Sequence, residues 1–266
     1  MVVVSCKDDS PSKSSGSLDD LPKDTGGTHK ANVLGADASP YGYYIYTPSG
    51  YTPTGPKFPL LIFMHGSGEV GNSSTDAKVL DKVLVNGPPK LIKKGTWSPK
   101  YPMVVASVQC HESWWDVNKV KAFTEFLMAS YQVDTARIYM TGLSMGGFGV
   151  WDQLTVFGKK SHITAAVPIS GGGALNADRT KRASLTPIWA FHGIDDKTVL
   201  PDFDKAIWKA INDLKPAVPA KLTIYPGTGH DAWSKTYDGT GMGKGDTAYD
   251  PFNEDIYTWM FQWSKK

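Results

Sequence analysis

The segment 142–146, which reads G-L-S-M-G, places the strongest constraint on how this chain folds. Four residues of strand type, 138–141, lead into it, and a helix-compatible stretch, 149–157, follows it. A serine between a strand and a helix lies on a sharp turn, where glycines avoid collisions and the hydroxyl projects from the sheet. The pattern alone is weak, because glycine supplies 27 of the 266 residues. A nucleophilic Ser144 and a plain glycine-rich surface turn therefore both remain open at this point.

The hydrophobic pattern of the whole chain predicts strands that alternate with helices. The run 59–65 is apolar almost throughout, as in a strand that is buried on both faces. This alternation predicts a doubly wound, mostly parallel sheet with helices on both faces, in which active residues gather at the carboxyl ends of strands. The predicted strands are 41–46, 59–65, 101–108, 138–141, 163–169, 187–192 and 220–225, and the predicted helices are 75–85, 117–131, 149–157, 202–214 and 253–263.

Composition argues against several other classes of protein. The chain is 41% hydrophobic, which is enough for a substantial core, and its formal net charge is only +2. Lys and Arg are scattered, so no nucleic-acid surface is predicted, and no apolar run is long enough to span a bilayer. The six histidines are dispersed and the cysteines form no pair, so neither a metal site nor a cofactor is predicted.

The first 30 residues differ in composition from the rest. Residues 7–29 are rich in Ser, Asp, Lys, Gly and Pro, which predicts a disordered tail at 1–30 before a catalytic domain at 31–266. The start, V-V-S-C at 3–6, resembles the lipobox of a bacterial lipoprotein, with Cys6 as the lipidated residue. It predicts an exported protein, either a cell-surface or periplasmic lipoprotein held to the membrane by a lipid on Cys6, or a secreted one. A disordered tail with a free thiol is the alternative.

The loop after the predicted strand 59–65 consists mostly of small residues. The backbone N–H groups of Ser67 and Gly68, together with that of Met145, are candidates for an oxyanion hole. A phosphate-binding loop is one alternative, but the Lys-Ser/Thr pair of a Walker motif is missing. A plain turn is the simpler alternative.

Acid and base candidates follow at two later strand ends. Asp195 and Asp196 come after the predicted strand 187–192 and compete for the role of the acid, unless both are solvated turn residues. His230 lies in a later glycine-rich loop and is a candidate general base. A serine hydroxyl becomes nucleophilic when an imidazole takes its proton, and a carboxylate holds that imidazole in the correct tautomer. The order of Ser144, an aspartate and His230, each at its own strand end, therefore predicts a catalytic triad.

Five stretches carry a pattern that extends beyond the triad: L-I-F-M-H-G-S-G-E-V-G, V-Q-C-H-E-S-W-W-D, Y-M-T-G-L-S-M-G-G-F-G-V-W-D, P-I-W-A-F-H-G-I-D-D-K-T-V-L-P and Y-P-G-T-G-H-D-A-W. Together they resemble the α/β-hydrolases of the dienelactone-hydrolase and esterase group. The resemblance covers about residues 35–264 and is to the branch called predicted peptidases or phospholipase/carboxylesterases, near feruloyl and acetylxylan esterases. It implies the α/β-hydrolase fold and places the acid at the last aspartate of H-G-x-x-D, which is Asp196. The chain departs from the family pattern at Val70, where arginine is common, and in a glycine-rich insert, 234–250.

Aromatic and polar residues near these loops are predicted to shape a substrate cleft. Gln109, Trp114 and Trp115 follow a strand end, and Trp233 lies shortly after the candidate base. Aromatic walls suit an aryl or sugar group, although with nine tryptophans in the chain ordinary core or rim positions are equally open. Glu69 is predicted either to orient the oxyanion loop or to be solvated.

The predicted function is a serine hydrolase that acts on carboxylic esters through an acyl-enzyme. The predicted substrates are small acyl or hydroxycinnamoyl esters, such as those on plant polysaccharide, and a polyester would suit an open cleft. A serine peptidase that uses the same triad on amides is one alternative. A catalytically inactive surface binding module on a hydrolase scaffold is the other, although an intact Ser, Asp and His argue against it.

Overall fold

The computed structural model describes residues 16–265 of the chain. The strands in this part are β1 (Thr28–Asn32), β2 (Gly42–Thr47), β3 (Phe58–Met64), β4 (Val104–Gln109), β5 (Val133–Leu143), β6 (Ala165–Ile169), β7 (Trp189–Gly193) and β8 (Lys221–Tyr225). The α-helices are α1 (Gly87–Lys93), α2 (Val117–Ser130), α3 (Met145–Asp152), α4 (Ala177–Ala183), α5 (Asp202–Asp213), α6 (Trp233–Tyr237) and α7 (Ile256–Phe261). None of the helices within residues 16–265 has the length and apolar composition needed to cross a membrane.

All eight strands belong to one sheet, in the order β1-β2-β4-β3-β5-β6-β7-β8. The β1–β2 and β2–β4 pairs are antiparallel, and the six strands β3 to β8 are parallel to one another. The carboxyl ends of β3 to β8 therefore meet at one edge of the sheet, where the candidate residues were predicted to lie. The predicted doubly wound, mostly parallel sheet is confirmed.

Both faces of the sheet are covered, because alternate side chains of a strand point to opposite sides. In β3, Leu60 and Ile62 belong to one apolar cluster, whereas Leu61 and Phe63 belong to the other. The first cluster includes side chains of α2, α3 and α5, and the second includes side chains of α6 and α7. Every residue of β3 is buried as a result, which explains the continuous apolar run in its sequence.

The strand β1 crosses the boundary predicted after residue 30. The stretch Thr28–Asn32 forms β1, which pairs with β2 along its whole length. Upstream of it, the Tyr46 hydroxyl donates a hydrogen bond to Asp24 Oδ2 at 2.6 Å. The polar composition of this stretch did not predict an ordered structure. Its order comes from backbone pairing with β2 and from the hydrogen bond of Tyr46, which lies later in the chain. Cys6 and its predicted lipid lie outside the described residues.

The helices differ from the prediction in three respects. The stretch 75–85 contains a 3-10 helix, Ala77–Val85, instead of an α-helix. Helix α3 begins at Met145, earlier than predicted, and continues as a π-helix, Gln153–Phe157. The early start was missed because glycines have low helix propensity, yet close packing requires them there. The short helices α1, α4 and α6 were not predicted, since each spans at most 7 residues.

The glycine-rich insert 234–250 ends by running along the edge strand β8. The backbone N–H groups of Asp246 and Asp250 donate to the carbonyls of Ile224 and Leu222, at 2.7 and 2.8 Å. The Asp250 carboxylate accepts from the Leu222 N–H at 2.8 Å in return. The insert therefore covers a sheet edge that would otherwise present unpaired backbone groups.

Candidate active site

Ser144 occupies the tight turn between β5 and α3. Its backbone has φ 53° and ψ −120°, a conformation that residues with a side chain rarely adopt. Its N–H donates to the Ile169 carbonyl of β6 at 2.9 Å, which anchors the turn. The turn passes so close to β3 that a Cβ on Gly146 would lie 2.1 Å from the Met64 carbonyl oxygen. Glycine at position 146 is therefore required by packing, and the strained serine is held in place by backbone contacts.

Three side chains from separate strand ends form a continuous series of hydrogen bonds. Ser144 Oγ lies 2.9 Å from His230 Nε2, and His230 Nδ1 lies 2.7 Å from Asp196 Oδ2. Ser144 and His230 are partly exposed, whereas Asp196 is buried. With the Nδ1 hydrogen directed at the carboxylate, Nε2 is free to accept the serine proton. The structure thus brings together the residues that the sequence predicted as nucleophile, base and acid.

Of the two neighbouring aspartates, only Asp196 reaches the histidine. Its other oxygen, Oδ1, accepts from the N–H groups of Thr198 and Val199, at 2.8 and 3.0 Å. Burial disfavours ionisation, but the hydrogen bonds from His230, Val199 and Thr198 outweigh it and lower the pKa of Asp196. Asp195 is exposed to solvent. The geometry therefore separates two acids that the residue pattern by itself could not.

The loop after β3 passes directly beside Ser144. A Cβ on Gly66 would lie 3.5 Å from Ser144 Cβ and 2.8 Å from Leu143 Cδ1. The 3-10 turn Ser67–Glu69 follows, and within residues 16–265 the N–H groups of Ser67 and Gly68 donate to no other backbone group. These free donors, and the N–H groups of the first turn of α3, lie on loops that meet at the serine. Their position is compatible with the predicted oxyanion hole.

Buried His65 fixes the start of this loop. Burial lowers the pKa of His65 to about 4, so its ring is neutral. Its Nε2 accepts from the Cys110 N–H at 2.9 Å, which leaves the hydrogen on Nδ1 to be donated to the Gly66 carbonyl. The ring therefore ties the end of β3 to the end of β4 through one defined tautomer.

A second link joins the loop to the aromatic residue beside the base. Asn86 Nδ2 donates to Glu69 Oε1 at 2.7 Å, and Asn86 Oδ1 accepts from Trp233 Nε1 at 3.3 Å. The Trp233 ring stands perpendicular to the His230 ring, with 5.0 Å between the ring centres. Glu69 is buried, and burial raises the pKa of its carboxyl against the opposing hydrogen bond from Asn86. Of the two predictions for Glu69, the structure favours the one that ties it to the loop.

Known proteins resemble this chain at low sequence identity. No family model matches it. A bifunctional acetylxylan esterase/xylanase from Neocallimastix patriciarum is 26% identical over 162 residues, which cover 58% of this chain and 21% of that protein. A thermostable esterase superimposes with a TM-score of 0.64 and 24% identity, over 90% of this chain and 63% of its own. A mutant of the feruloyl esterase module from Clostridium thermocellum, complexed with sinapinate, superimposes with a TM-score of 0.53 and 15% identity, over 80% of this chain and 84% of its own.

The chain has the α/β-hydrolase fold. The predicted resemblance to α/β-hydrolases near feruloyl and acetylxylan esterases is thereby confirmed. The chain spans about a fifth of the length of the curated relative that it matches. These neighbours therefore establish the fold, whereas the reaction and substrate of this chain are proposed below from its own site.

Two of the predicted cleft residues lie inside the α/β-hydrolase core, which corrects their predicted placement. Gln109 is 1% exposed, and its amide donates to the Glu69 and Val79 carbonyls at 3.2 and 2.7 Å. Trp115 is 4% exposed and packs against the His65 ring, with 4.9 Å between the ring centres. Both side chains point inward from the end of β4, so they support the loop without facing solvent.

Trp114 is exposed, whereas Trp233 is partly exposed beside His230, and their role in binding substrate stays a prediction. Trp114 is 47% exposed and contacts the Phe148 ring in the first turns of α3, with 5.5 Å between the ring centres. Phe148 in turn contacts Phe203 of α5 at 6.2 Å, and Phe203 is 48% exposed. We call these three rings, Trp114, Phe148 and Phe203, the aromatic strip. It begins one helical turn from Ser144 and was not predicted, because its members come from three distant segments.

Sequence reasoning also missed several polar residues of the site. Asn86, which bridges Glu69 and Trp233, follows a 3-10 helix and has no motif around it. Ser170 at the end of β6 has φ 48° and donates through Oγ to the His230 carbonyl at 2.9 Å. Asp204 in α5 lies behind the acid and contacts His192 at 2.7 Å. The only sequence signal for Ser170 was its position at a strand end, next to a glycine run.

Proposed function

We propose that this chain hydrolyses carboxylic esters through a covalent acyl-enzyme on Ser144. The observation that carries the proposal is the hydrogen-bonded series of Ser144, His230 and Asp196, with the serine partly exposed at the carboxyl edge of the sheet. Such a series activates a weak hydroxyl nucleophile at neutral pH. The esterases among the similar proteins support the same chemistry.

In the proposed reaction, Ser144 Oγ attacks the ester carbonyl carbon while its proton passes to His230 Nε2. The resulting oxyanion accepts hydrogen bonds from the Met145 N–H and from the N–H of Ser67 or Gly68. The bond between the carbonyl carbon and the alcohol oxygen then breaks, and the leaving alcohol takes the proton from His230. Water repeats the sequence, so that the acid leaves and the serine is restored. Asp196 stays ionised throughout and stabilises the imidazolium.

We propose aryl or sugar esters as the substrates, including hydroxycinnamoyl or small acyl esters of plant polysaccharide. Trp114 and Phe203 of the aromatic strip are exposed on one side of Ser144, and the partly exposed Trp233 lies beside His230, so both sides of the serine offer aromatic rings for packing. Two similar proteins are an acetylxylan esterase/xylanase and a feruloyl esterase module.

Two surface grooves, of about 350 and 310 Å³, lie away from this site. Both flank Trp97, and no triad residue lines either of them.

Turnover of p-nitrophenyl acetate tests the chemistry. Wild type is expected to be active and Ser144→Ala to fall to background, because the nucleophile is gone. A matched control is Ser184→Ala, since Ser184 follows α4 and, within residues 16–265, its hydroxyl forms a hydrogen bond only with the Lys181 carbonyl. Equal rates for wild type and Ser144→Ala would reject the triad, and a fluorophosphonate adduct on a residue other than Ser144 would do the same.

A substrate panel separates the alternatives. Methyl ferulate, acetylated xylan and aminoacyl amides are compared at equal concentration, and the proposal expects the first two to be preferred. Amide turnover above ester turnover would favour a serine peptidase, and binding to xylan without turnover of any ester would favour an inactive binding module. Phe203→Ala is expected to lower kcat/KM about 2- to 10-fold for methyl ferulate but not for methyl acetate, which carries no ring, because one aromatic contact contributes about 0.5–1.5 kcal/mol.

We further propose export with a lipid on Cys6, on the basis of the residue pattern at 3–6. Expression in a bacterium with an alkyne-labelled palmitate is expected to label wild type but not Cys6→Ala. Cys110→Ala serves as the control, since that thiol is buried. Absence of label from wild type would leave export by secretion as the remaining form of the proposal.

A further inference from the structure

His192 is a buried histidine that the proposed reaction does not use. It lies at the end of β7, and its side chain is fully buried. Its Nδ1 lies 2.7 Å from Asp204 Oδ2, and its Nε2 lies 2.9 Å from the Val199 carbonyl oxygen and 3.2 Å from Asp196 Oδ2. Both ring nitrogens of this buried histidine therefore have hydrogen-bond partners, and one of those partners is Asp196, the candidate catalytic acid.

The contacts of this ring determine where its hydrogens lie. The Val199 carbonyl accepts and cannot donate, so Nε2 carries a hydrogen that points at Val199 and Asp196. On the other side of the ring, one further proton lies between Nδ1 and Asp204. Trp151 Nε1 donates to Asp204 Oδ1 at 2.7 Å, so that oxygen is an acceptor as well. Whichever of the two groups holds the shared proton, the pair is neutral overall and keeps its Nε2–H donor toward Asp196.

The pKa directions agree with this assignment. Burial disfavours a charged imidazole, but the Asp204 carboxylate and the Val199 carbonyl outweigh it and raise the pKa of His192. Burial also raises the pKa of Asp204, against hydrogen bonds from His192 and Trp151. Both directions favour the form in which the pair holds its shared proton.

These bonds close a ring of contacts around the site. Ser144 precedes α3, Trp151 lies further along the same helix, and Trp151 contacts Asp204 of α5. From Asp204 the contacts lead through His192 to Asp196, and from there through His230 back to Ser144. The nucleophile and the acid are therefore tied to each other on both sides, through the base in front and through buried groups behind.

We propose that His192 is a positioning residue for Asp196, held in place by Asp204. Its Nε2–H steadies the carboxylate oxygen that receives His230, and its bond to the Val199 carbonyl holds the loop whose N–H groups bind the other oxygen. This inference rests on the proposed function, in which Asp196 orients His230. A carboxylate free to rotate would leave the imidazole in mixed orientations and slow the serine attack.

Two substitutions of His192 separate positioning from bulk structure. His192→Asn retains a polar group near the place of Nδ1 but none that reaches Asp196, and it is expected to lower kcat about 10- to 100-fold with KM changed less than about twofold. His192→Gln places an amide near the former Nε2 and is expected to recover at least a third of the wild-type kcat. The rate at which a fluorophosphonate labels Ser144 is expected to follow the same order.

Thr223→Val is the matched control. It removes two hydrogen bonds of the same region without touching the triad: Trp189 Nε1 of β7 donates to the Thr223 hydroxyl at 2.9 Å, and that hydroxyl donates to the Asp250 carbonyl at 2.8 Å. It is expected to lower the melting temperature while kcat per titrated site stays within about twofold of wild type. If His192→Asn does not fold, Asp204→Ala is expected to give the same loss of kcat, because it releases His192 from α5.

The inference is overturned if either folded variant, His192→Asn or Asp204→Ala, keeps kcat per titrated site and the labelling rate within twofold of wild type. It is also overturned if Thr223→Val loses as much kcat as His192→Asn, since a general loss of rigidity would then suffice. Failure of the proposed function looks different: wild type would turn over no ester in the panel. The labelling rates at Ser144 would still test the positioning in that case.

Discussion

Removal of the Asn86 side chain is expected to loosen the loop beside Ser144. Asn86 directly precedes α1, yet its side chain caps no helix N–H, because it bridges Glu69 and Trp233 instead. A hydrogen bond to a charged group contributes about 1.5–3 kcal/mol, and a neutral one about 0.5–1.5 kcal/mol. The Glu69 bond is short and the Trp233 bond is long, and Asn86 is partly exposed, so Asn86→Ala is expected to cost about 2–3 kcal/mol.

For a domain of this size, that loss corresponds to a fall of about 4–12 °C in the melting temperature. We expect kcat/KM for esters to fall about tenfold as well, since the loop would no longer be tied to the aromatic wall beside the base. Urea denaturation of wild type, Asn86→Ala, Glu69→Ala and the double variant gives the coupling energy directly. Asn118→Ala, which truncates an exposed asparagine in the first turn of α2, is the control.

The expected coupling between Asn86 and Glu69 is about 1.5–3 kcal/mol. A coupling free energy below about 0.5 kcal/mol would refute the reasoning, because it would mean that water replaces the Asn86 amide beside Glu69 without loss of stability. A large coupling with unchanged kcat/KM would restrict the role of Asn86 to stability.

Three further predictions concern other parts of the site. Gly146→Ala is expected to abolish soluble expression or lower the melting temperature strongly, because the new Cβ would lie 2.1 Å from a β3 carbonyl oxygen, whereas Gly68→Ala meets no atom within 4 Å and should leave the melting temperature unchanged. Asp196→Asn is expected to lower kcat by about 10⁴ and Asp195→Asn by less than about twofold, and the reverse order in steady-state kinetics would move the acid to the exposed residue. Since burial raises the pKa of Glu69, its folded form holds the proton more tightly, and stability falls as pH rises from 4.5 through the raised pKa. The free energy of unfolding of Glu69→Gln should therefore rise relative to that of wild type between pH 4 and pH 7.5. Urea denaturation of both proteins at the two pH values measures this, and an equal difference in unfolding free energy at pH 4 and at pH 7.5 would contradict it.

The order of the triad residues was readable in the sequence because each one follows a strand. In a parallel sheet the carboxyl ends of the strands meet at one edge, so three residues far apart in the chain converge without any local signal between them. The choice between Asp195 and Asp196 was different. Adjacent residues on a loop point in different directions, and only the folded loop determines that Asp196 turns inward to His230.

The errors at the end of β4 have the same origin. Gln109 and Trp115 are near a strand end, but whether a side chain faces the cleft or the core depends on the path of the backbone after the strand. Both turned inward, and Trp114, next to one of them, turned outward. The strand β1 was missed for another reason, since a short, polar edge strand obtains its order from backbone pairing with β2 and not from its own apolar residues.

The sequence by itself determined the alternation of strands and helices, the sharp turn at Ser144 and the order of the candidate nucleophile, acid and base. These features depend on local periodicity and on the glycines around one turn, and both can be read directly from the sequence. Only the tertiary structure showed that Asp196 contacts His230, how Asn86 ties the loop to Trp233, and how His192 and Asp204 contact Asp196 from behind. Those contacts join segments with no common pattern, because hydrogen bonds between distant loops depend on where the packed sheet and helices place their ends.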